Sequence, residues 1–199
     1  SQNRVAEAAA AGKYAEEILP FRTVMKVTDK ETGESSMKDV LLDKDEGPRP
    51  DTNAEGLAKL KPVLEGGTTT AGNASQLSDG AAAMVMMDAD LAQRRGLPIL
   101  GLFRGMGLSA VAPEEMSIAI TPAIRAVMKK HDLKKDDIDL WELHEAYAVT
   151  TLYNQRELDT PWETTNVNGG AIALGHPYGM SGIRYLGSVL MELGRRGKS

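Results

Sequence analysis

The stretch Asn-Val-Asn-Gly-Gly-Ala-Ile-Ala-Leu-Gly-His-Pro-Tyr-Gly-Met-Ser-Gly, residues 166–182, constrains this chain more than any other feature. Five glycines surround the pair His176-Pro177, a density that implies tight backbone turns and close approach of the main chain to a neighbour. Ser181-Gly182 then opens an amphipathic helix predicted to run to Gly194. Amides near such an N-terminus help to bind anionic or developing negative charge. A histidine in that setting reads as functional rather than structural.

His144 is less decided. It opens His-Glu-Ala-Tyr-Ala after a short predicted strand, Asp139–Leu143. α/β folds place their sites at the C-terminal ends of strands, which favours function, while a structural role stays open. A zinc-protease helix needs His-Glu-x-x-His, and Ala148 stands where the second imidazole belongs. His131, after Lys129-Lys130, reads as a surface cap at a helix C-terminus, where an imidazolium is favoured. The glycines at 101, 105 and 107 lack the Lys-Ser/Thr of a phosphate loop, and Ser75 lies outside any Gly-x-Ser-x-Gly elbow.

Element by element, the chain alternates. An Ala-rich helix from Ser1 to Ala11 stops at Gly12, and Glu17–Val27 is extended despite Pro20. Residues 28–53, with two glycines and two prolines, suit a surface excursion of short strands and turns. Ala81–Met87 and Ile99–Phe103 read as buried strands, the methionines of the first as core filler. Asp88 caps a helix to Arg95. Thr121 is the expected N-cap of a helix with Pro122 at its first position, ending near Lys130. A further helix is predicted over residues 146–155. Strands alternating with helices indicate an α/β architecture.

The bulk numbers exclude several functions. A net charge of -5 and a pI near 5.3 argue against a nucleic-acid surface. The densest basic cluster, Arg195, Arg196 and Lys198, reads as a solvated helix cap, and Asp43–Glu46 as a solvated loop rather than a metal site. The longest apolar run, residues 81–87, falls far short of the roughly 20 residues that cross a bilayer. Cysteine is absent altogether, so neither a disulfide nor a thiolate nucleophile exists within these 199 residues. The polar opening at Ser1 reads as a helix already under way, as if the sequence began inside a longer protein.

Three segments, in order, resemble the thiolase family. Residues 166–184 look like its glycine-rich Gly-His-Pro signature. Residues 70–82, Thr-Ala-Gly-Asn-Ala-Ser-Gln-Leu-Ser-Asp-Gly-Ala-Ala, are similar to its Ala-Gly-Asn-Ala-Ser segment. His144–Ala148 resembles its Asn/His-Glu-Ala-Phe block, with Tyr147 for the usual Phe. The resemblance covers essentially the whole chain and is weakest between Thr28 and Asn53.

What the resemblance implies is an α/β thiolase-like layered fold, incomplete here. Residues 1–70 would be the remainder of a loop domain, 71–97 the end of an N-terminal half-domain, and 98–199 a C-terminal half-domain lacking its last strands. His176 would be the base that activates a nucleophilic cysteine and an oxyanion donor. His144 would hold a water in the same oxyanion hole. Ser75, Ala71, Leu77, Met116, Ala146 and Tyr147 would line the channel of the pantetheine arm, with Arg49 near the nucleotide end. The intact parent would be an acyl-CoA C-acyltransferase whose substrates are coenzyme A and acyl-CoA, with no covalently bound cofactor and no metal, assembled as a homodimer or homotetramer. A cytoplasmic location is expected, with mitochondria or peroxisomes as the other sites. Both family cysteines belong outside Ser1–Ser199, and a new strand is expected just after Ser199. Residues 117–121 depart from the family's Gly-rich sequence before Pro122. His144 in place of Asn points weakly to the degradative 3-ketoacyl-CoA branch. A non-catalytic coenzyme A-binding or subunit-interaction module is the competing reading, and a ketoacyl-synthase relative a third.

Overall fold

The polar faces of the glycine-rich segment need partners, and the first helix supplies them. The computed structural model describes residues 1–198, so the strand expected after Ser199 lies outside the described residues. Helix α1, Gln2–Ala10, lies against the segment's back. The Arg4 guanidinium donates to the carbonyls of Trp162, Thr165 and Asn166, and the Gly170 amide donates to Ser1 Oγ at 3.1 Å. Val5 and Ala8 of α1 join Tyr14, Ala173 and Leu174 in the main apolar cluster, with Ile18 packed on it. Ala173 and Leu174 belong to a single helical turn, α6, Ala171–Leu174. The core therefore sits directly beneath the loop that carries His176.

Residues 21–42 form an antiparallel hairpin of β1, Phe21–Thr28, and β2, Ser35–Leu42, pairing Phe21 with Leu42 and Thr28 with Ser35. Nearly all its side chains are exposed, as a surface excursion requires. After a short helix α2, Ala54–Ala58, comes α3, Ala89–Arg94. Asp88 caps α3 as expected, accepting from the Leu91 amide at 2.8 Å.

Two expected strands are not formed. Ala81–Met87 and Ile99–Phe103 have neither helical nor strand structure. Val85 is 89% and Phe103 65% exposed. Their apolar pattern specifies burial on both faces, yet no described segment offers them a ladder partner. The strand expected at Asp139–Leu143 is reduced to one parallel bridge, Trp141 to Thr165.

The cap of α4, Ile120–Lys130, is also corrected. Thr121 lies inside the first turn, after a 3₁₀ segment Pro113–Ile118. Its amide and hydroxyl both donate to Oδ1 of the buried Asn154, at 3.0 and 2.8 Å. Asn154 sits on α5, Ala148–Leu158, so the cap comes from a neighbouring helix rather than from Thr121 itself. His131 does terminate α4, but its imidazole packs against Gly105 rather than standing free in solvent.

The last helix, α7, spans Ser181–Arg196 and passes through Gly194, the expected stop, to end at Gly197. Arg195 and Arg196 are not merely solvated. Both donate through Nε to the buried Glu192 carboxylate, at 2.9 and 2.8 Å, and Lys198 pairs with Asp139 at 3.1 Å. Among the described residues no helix is long and apolar enough to cross a membrane.

Candidate active site

Three chain segments that lie far apart in sequence converge on His176. The Asn166 side chain clips the first two together, accepting from the Leu143 amide at 2.7 Å and donating to the Leu143 carbonyl at 2.8 Å. Asn166 Nδ2 also donates to Glu145 Oε1 at 3.0 Å, and the Ile172 amide to Glu145 Oε2 at 3.2 Å. Buried Glu145 thus ties the His144 strand end to the turn of α6. The third segment docks through backbone bonds. The Ser75 amide donates to the Ala146 carbonyl at 2.9 Å, and the Ala148 amide to the Asn73 carbonyl at 2.8 Å. Ala74 and Tyr147 form the antiparallel bridge between them. The His176 amide then donates to the Gln76 carbonyl at 3.3 Å.

At the meeting point the two imidazoles face each other. His144 Nε2 and His176 Nε2 are 3.1 Å apart, with ring centroids at 4.1 Å. The outer nitrogens are also engaged. His176 Nδ1 lies 2.7 Å from Ser181 Oγ, and His144 Nδ1 is hydrogen-bonded to the Tyr185 hydroxyl. Gly175 has φ +89°, which turns the chain into His176, and a side chain there would strike Ser78. The Tyr178 ring stands 4.8 Å from that of His176 on the outer side.

Electrostatics keep this pair neutral. Burial, then the neighbouring His176 and the Arg184 guanidinium, push His144 down to about 4. Burial and Arg184 lower His176 as well. Arg184 lies over the Tyr185 ring, its guanidinium carbon 4.2 Å from the centroid. Behind it, burial raises the Glu142 carboxyl to about 8. Two neutral imidazoles in a half-buried cleft can exchange donor and acceptor roles, the property that a base for a thiol and a donor to an oxyanion both need.

The other expected site residues divide. Ser75, Ala146 and Tyr147 are brought together beside His144, with Ala71 at the start of the same docked segment. Met116 is in the 3₁₀ segment, where the next residue, Ser117, accepts from Thr150 of α5 at 3.0 Å. Leu77 is 92% exposed. The Arg49 guanidinium is curled onto the carbonyls of Glu46, Gly47 and Pro48, at 3.2–3.3 Å. That loop is moored to the site through Gln76 Nε2, which donates to Gly47 O at 2.9 Å and Ala173 O at 3.0 Å. Among the described residues no cluster of histidine and acidic side chains could hold a metal ion.

Comparison with known proteins matches these segments to one family along the chain. The model described as "Thiolase, C-terminal domain" matches residues 97–199, and "Thiolase, N-terminal domain" matches residues 1–90. The chain belongs to the thiolase family. It is 48% identical over its whole length to 3-ketoacyl CoA thiolase 1, peroxisomal, of Petunia hybrida, covering 42% of that protein. It is 45% identical, again over all 199 residues, to the peroxisomal 3-ketoacyl-CoA thiolase B of Rattus norvegicus, covering 46% of it. The Bacillus anthracis acetyl-CoA acetyltransferase structure superposes on the whole chain with a TM-score of 0.88 at 39% identity, and the chain covers 48% of it. Human mitochondrial 3-ketoacyl-CoA thiolase gives 0.82 at 38% identity. The fold is thus the α/β thiolase fold, and the chain spans less than half the length of these relatives.

The two histidines that the structure brings together were expected from the sequence; Tyr185, Ser181 as a side-chain partner, and Gln76 were not. For Tyr185 and Ser181 the helical spacing was readable, but their partners were not. Ser181 and Tyr185 are four residues apart, hence on one face of α7, in the turn that follows the Gly-His-Pro loop.

Proposed function

We propose that the parent of this chain is a thiolase, an acyltransferase that cleaves 3-ketoacyl-CoA with coenzyme A or runs the reverse Claisen condensation. The observation that carries this reading is the 3.1 Å approach of two neutral imidazoles where the family's three signature segments meet.

His176 acts as the base. Its Nε2 takes the proton of a cysteine thiol supplied by the rest of the parent, and the thiolate adds to the 3-keto carbonyl. The bond between C2 and C3 of the substrate then breaks: the acyl group stays on the cysteine, and acetyl-CoA leaves as its enolate and takes a proton from an acid of the parent. Protonated at Nε2, His176 becomes a donor to the oxyanion, and His144 completes that hole. Ser75, Ala71, Leu77, Met116, Ala146 and Tyr147 line the pantetheine channel, and Arg49 lies toward the nucleotide end. The docking of residues 73–76 on the strand end that carries Ala146 and Tyr147 supports the channel assignment. Coenzyme A and acyl-CoA are substrates, and the family chemistry asks for no bound cofactor.

The division into a loop-domain remainder (1–70), the end of an N-terminal half (71–97) and a C-terminal half (98–199) belongs to the same reading. The break between the two family matches, at residues 91–96, supports the second boundary. A homodimer or homotetramer is the assembly proposed for the parent. Three of the four relatives above are named for peroxisomes or mitochondria and the Bacillus anthracis protein for no compartment, so a cytoplasmic location draws no support from their names.

The second reading is a coenzyme A-binding or subunit-interaction module without catalysis. Steady-state thiolysis by the full-length parent separates the two. His176→Ala should lower kcat about 100-fold or more, the cost of losing a base and an oxyanion donor. His144→Asn should be mild, because an amide can serve the same hole. Reversed severities would overturn the role assignment, and a parent without thiolysis would favour the module.

A further inference from the structure

We propose that Tyr185 fixes His144 in the tautomer that carries its proton on Nε2, so that His144 presents an N–H to the acyl site. Tyr185 is then a positioning residue, and its role in turnover rests on the thiolase reading above.

Four hydrogen bonds run in series: Tyr185 hydroxyl, His144 Nδ1; His144 Nε2, His176 Nε2; His176 Nδ1, Ser181 Oγ; Ser181 Oγ, Pro177 carbonyl. The two ends set the direction. A carbonyl only accepts, so Ser181 donates to Pro177 at 3.0 Å and accepts from His176 Nδ1–H at 2.7 Å. A neutral His176 with its proton on Nδ1 has a bare Nε2, which accepts from His144 Nε2–H across 3.1 Å. His144 Nδ1 is then bare, and the phenol donates to it. The reverse direction breaks the Ser181–Pro177 bond and leaves the Tyr185 O–H without an acceptor among the described residues. Only the first direction makes all four bonds.

Ionisation agrees with this order. Burial raises the Tyr185 phenol, so it keeps its proton, and burial holds His144 neutral, with a pKa near 4. The charged or titratable groups facing the pair are His176, Arg184, Glu142 and Glu145.

The consequence is a coupled release. While His176 Nε2 is bare, it occupies the N–H of His144. Once it takes the thiol proton it no longer accepts, and His144 Nε2–H is free for the developing oxyanion. Without the phenol, His144 can shift its proton to Nδ1 and present a lone pair to the same oxygen, which repels it.

Tyr185→Phe in the full-length parent tests this. Its kcat should fall about 10-fold with KM unchanged, a fraction of the loss expected for deleting an oxyanion donor. In a His144→Asn background the same change should cost nothing further, because a carboxamide has no tautomer to fix. Equal losses in both backgrounds would reduce Tyr185 to packing and overturn the proposal. Histidine ¹⁵N spectra give an answer independent of turnover. His144 Nδ1 should read as unprotonated in the wild type and as a mixture in Tyr185→Phe, and a protonated Nδ1 in the wild type would sink the idea. If the parent shows no thiolysis the functional reading falls, and the spectra still decide the tautomer.

Discussion

At Gly170 the missing side chain is what lets the Glu145 carboxylate reach the amide of Ile172 behind the two imidazoles. A Cβ there would collide with the carboxyl group of Glu145, which is buried and cannot swing away. Gly170→Ala should therefore cost the parent about 1–3 kcal/mol, the range for overpacking a tight site. Urea unfolding of the two proteins checks it, and a change near zero would mean that Glu145 has an alternative position. His144 adds a pH term of definite sign. Its folded pKa near 4 lies below the ordinary 6.5. Stability is therefore full above 6.5 and drains away as pH falls toward 4. His144→Asn should flatten that slope in thermal melts across the interval, and an unchanged slope would assign it elsewhere. Both histidines were singled out by local signals, the glycines around His176 and the apolar run before His144, although the strand expected there is reduced to one bridge. Tyr185 was not, because its partner lies 41 residues away and only the packing of α7 on that strand end brings them together.

Helix α7 shows why an element can be legible while its packing is not. Its period was readable, yet the residues it buries are Ser181, Ser188 and Glu192, not a leucine stripe. Each has a partner from elsewhere in the chain or the preceding loop: His176 for Ser181, Glu17 for Ser188 and a cluster for Glu192. Glu192 accepts from Lys13, Asn168, Arg195 and Arg196 at 2.8–3.3 Å. Burial alone would raise its pKa. The hydrogen bonds from Asn168, Arg196, Arg195 and Lys13 outweigh that and hold it near 2. A depressed carboxyl contributes stability that is present above the unfolded value of 4.5 and is lost as pH falls toward 2. Glu192→Gln should therefore lower the parent's stability by about 2–3 kcal/mol at neutral pH. The gap to wild type should close as the melts are carried below 4.5. A gap that persists in acid would show that shape, not charge, holds α7 in place. The misread cap of α4 has the same origin, since Asn154 reaches Thr121 across 33 residues.

For the molecule as a whole, area decides. A compact monomer of 21.4 kDa exposes about 9,100 Å² by the size scaling of folded proteins. This chain exposes 14020 Å². Part of the excess lies where the sequence specifies burial and the structure gives none, in Ala81–Met87 and Ile99–Phe103. An apolar surface of that extent needs a cover. In the domain division proposed above, these segments are strands of the two half-domains, with ladder partners in the rest of the parent. Produced alone, the 199-residue chain should bind a hydrophobic dye such as ANS and elute as a heterogeneous, associated species. It should melt over a broad range without a cooperative transition. It should also leave acetoacetyl-CoA intact, because no thiolate is available to carry the acyl group. Rejoined to the remaining parent sequence, the same residues should lose dye binding and unfold cooperatively. A monomeric isolated chain that melts sharply and excludes the dye would mean that Ala81–Met87 and Ile99–Phe103 find their burial within the chain. The division into half-domains would then fall.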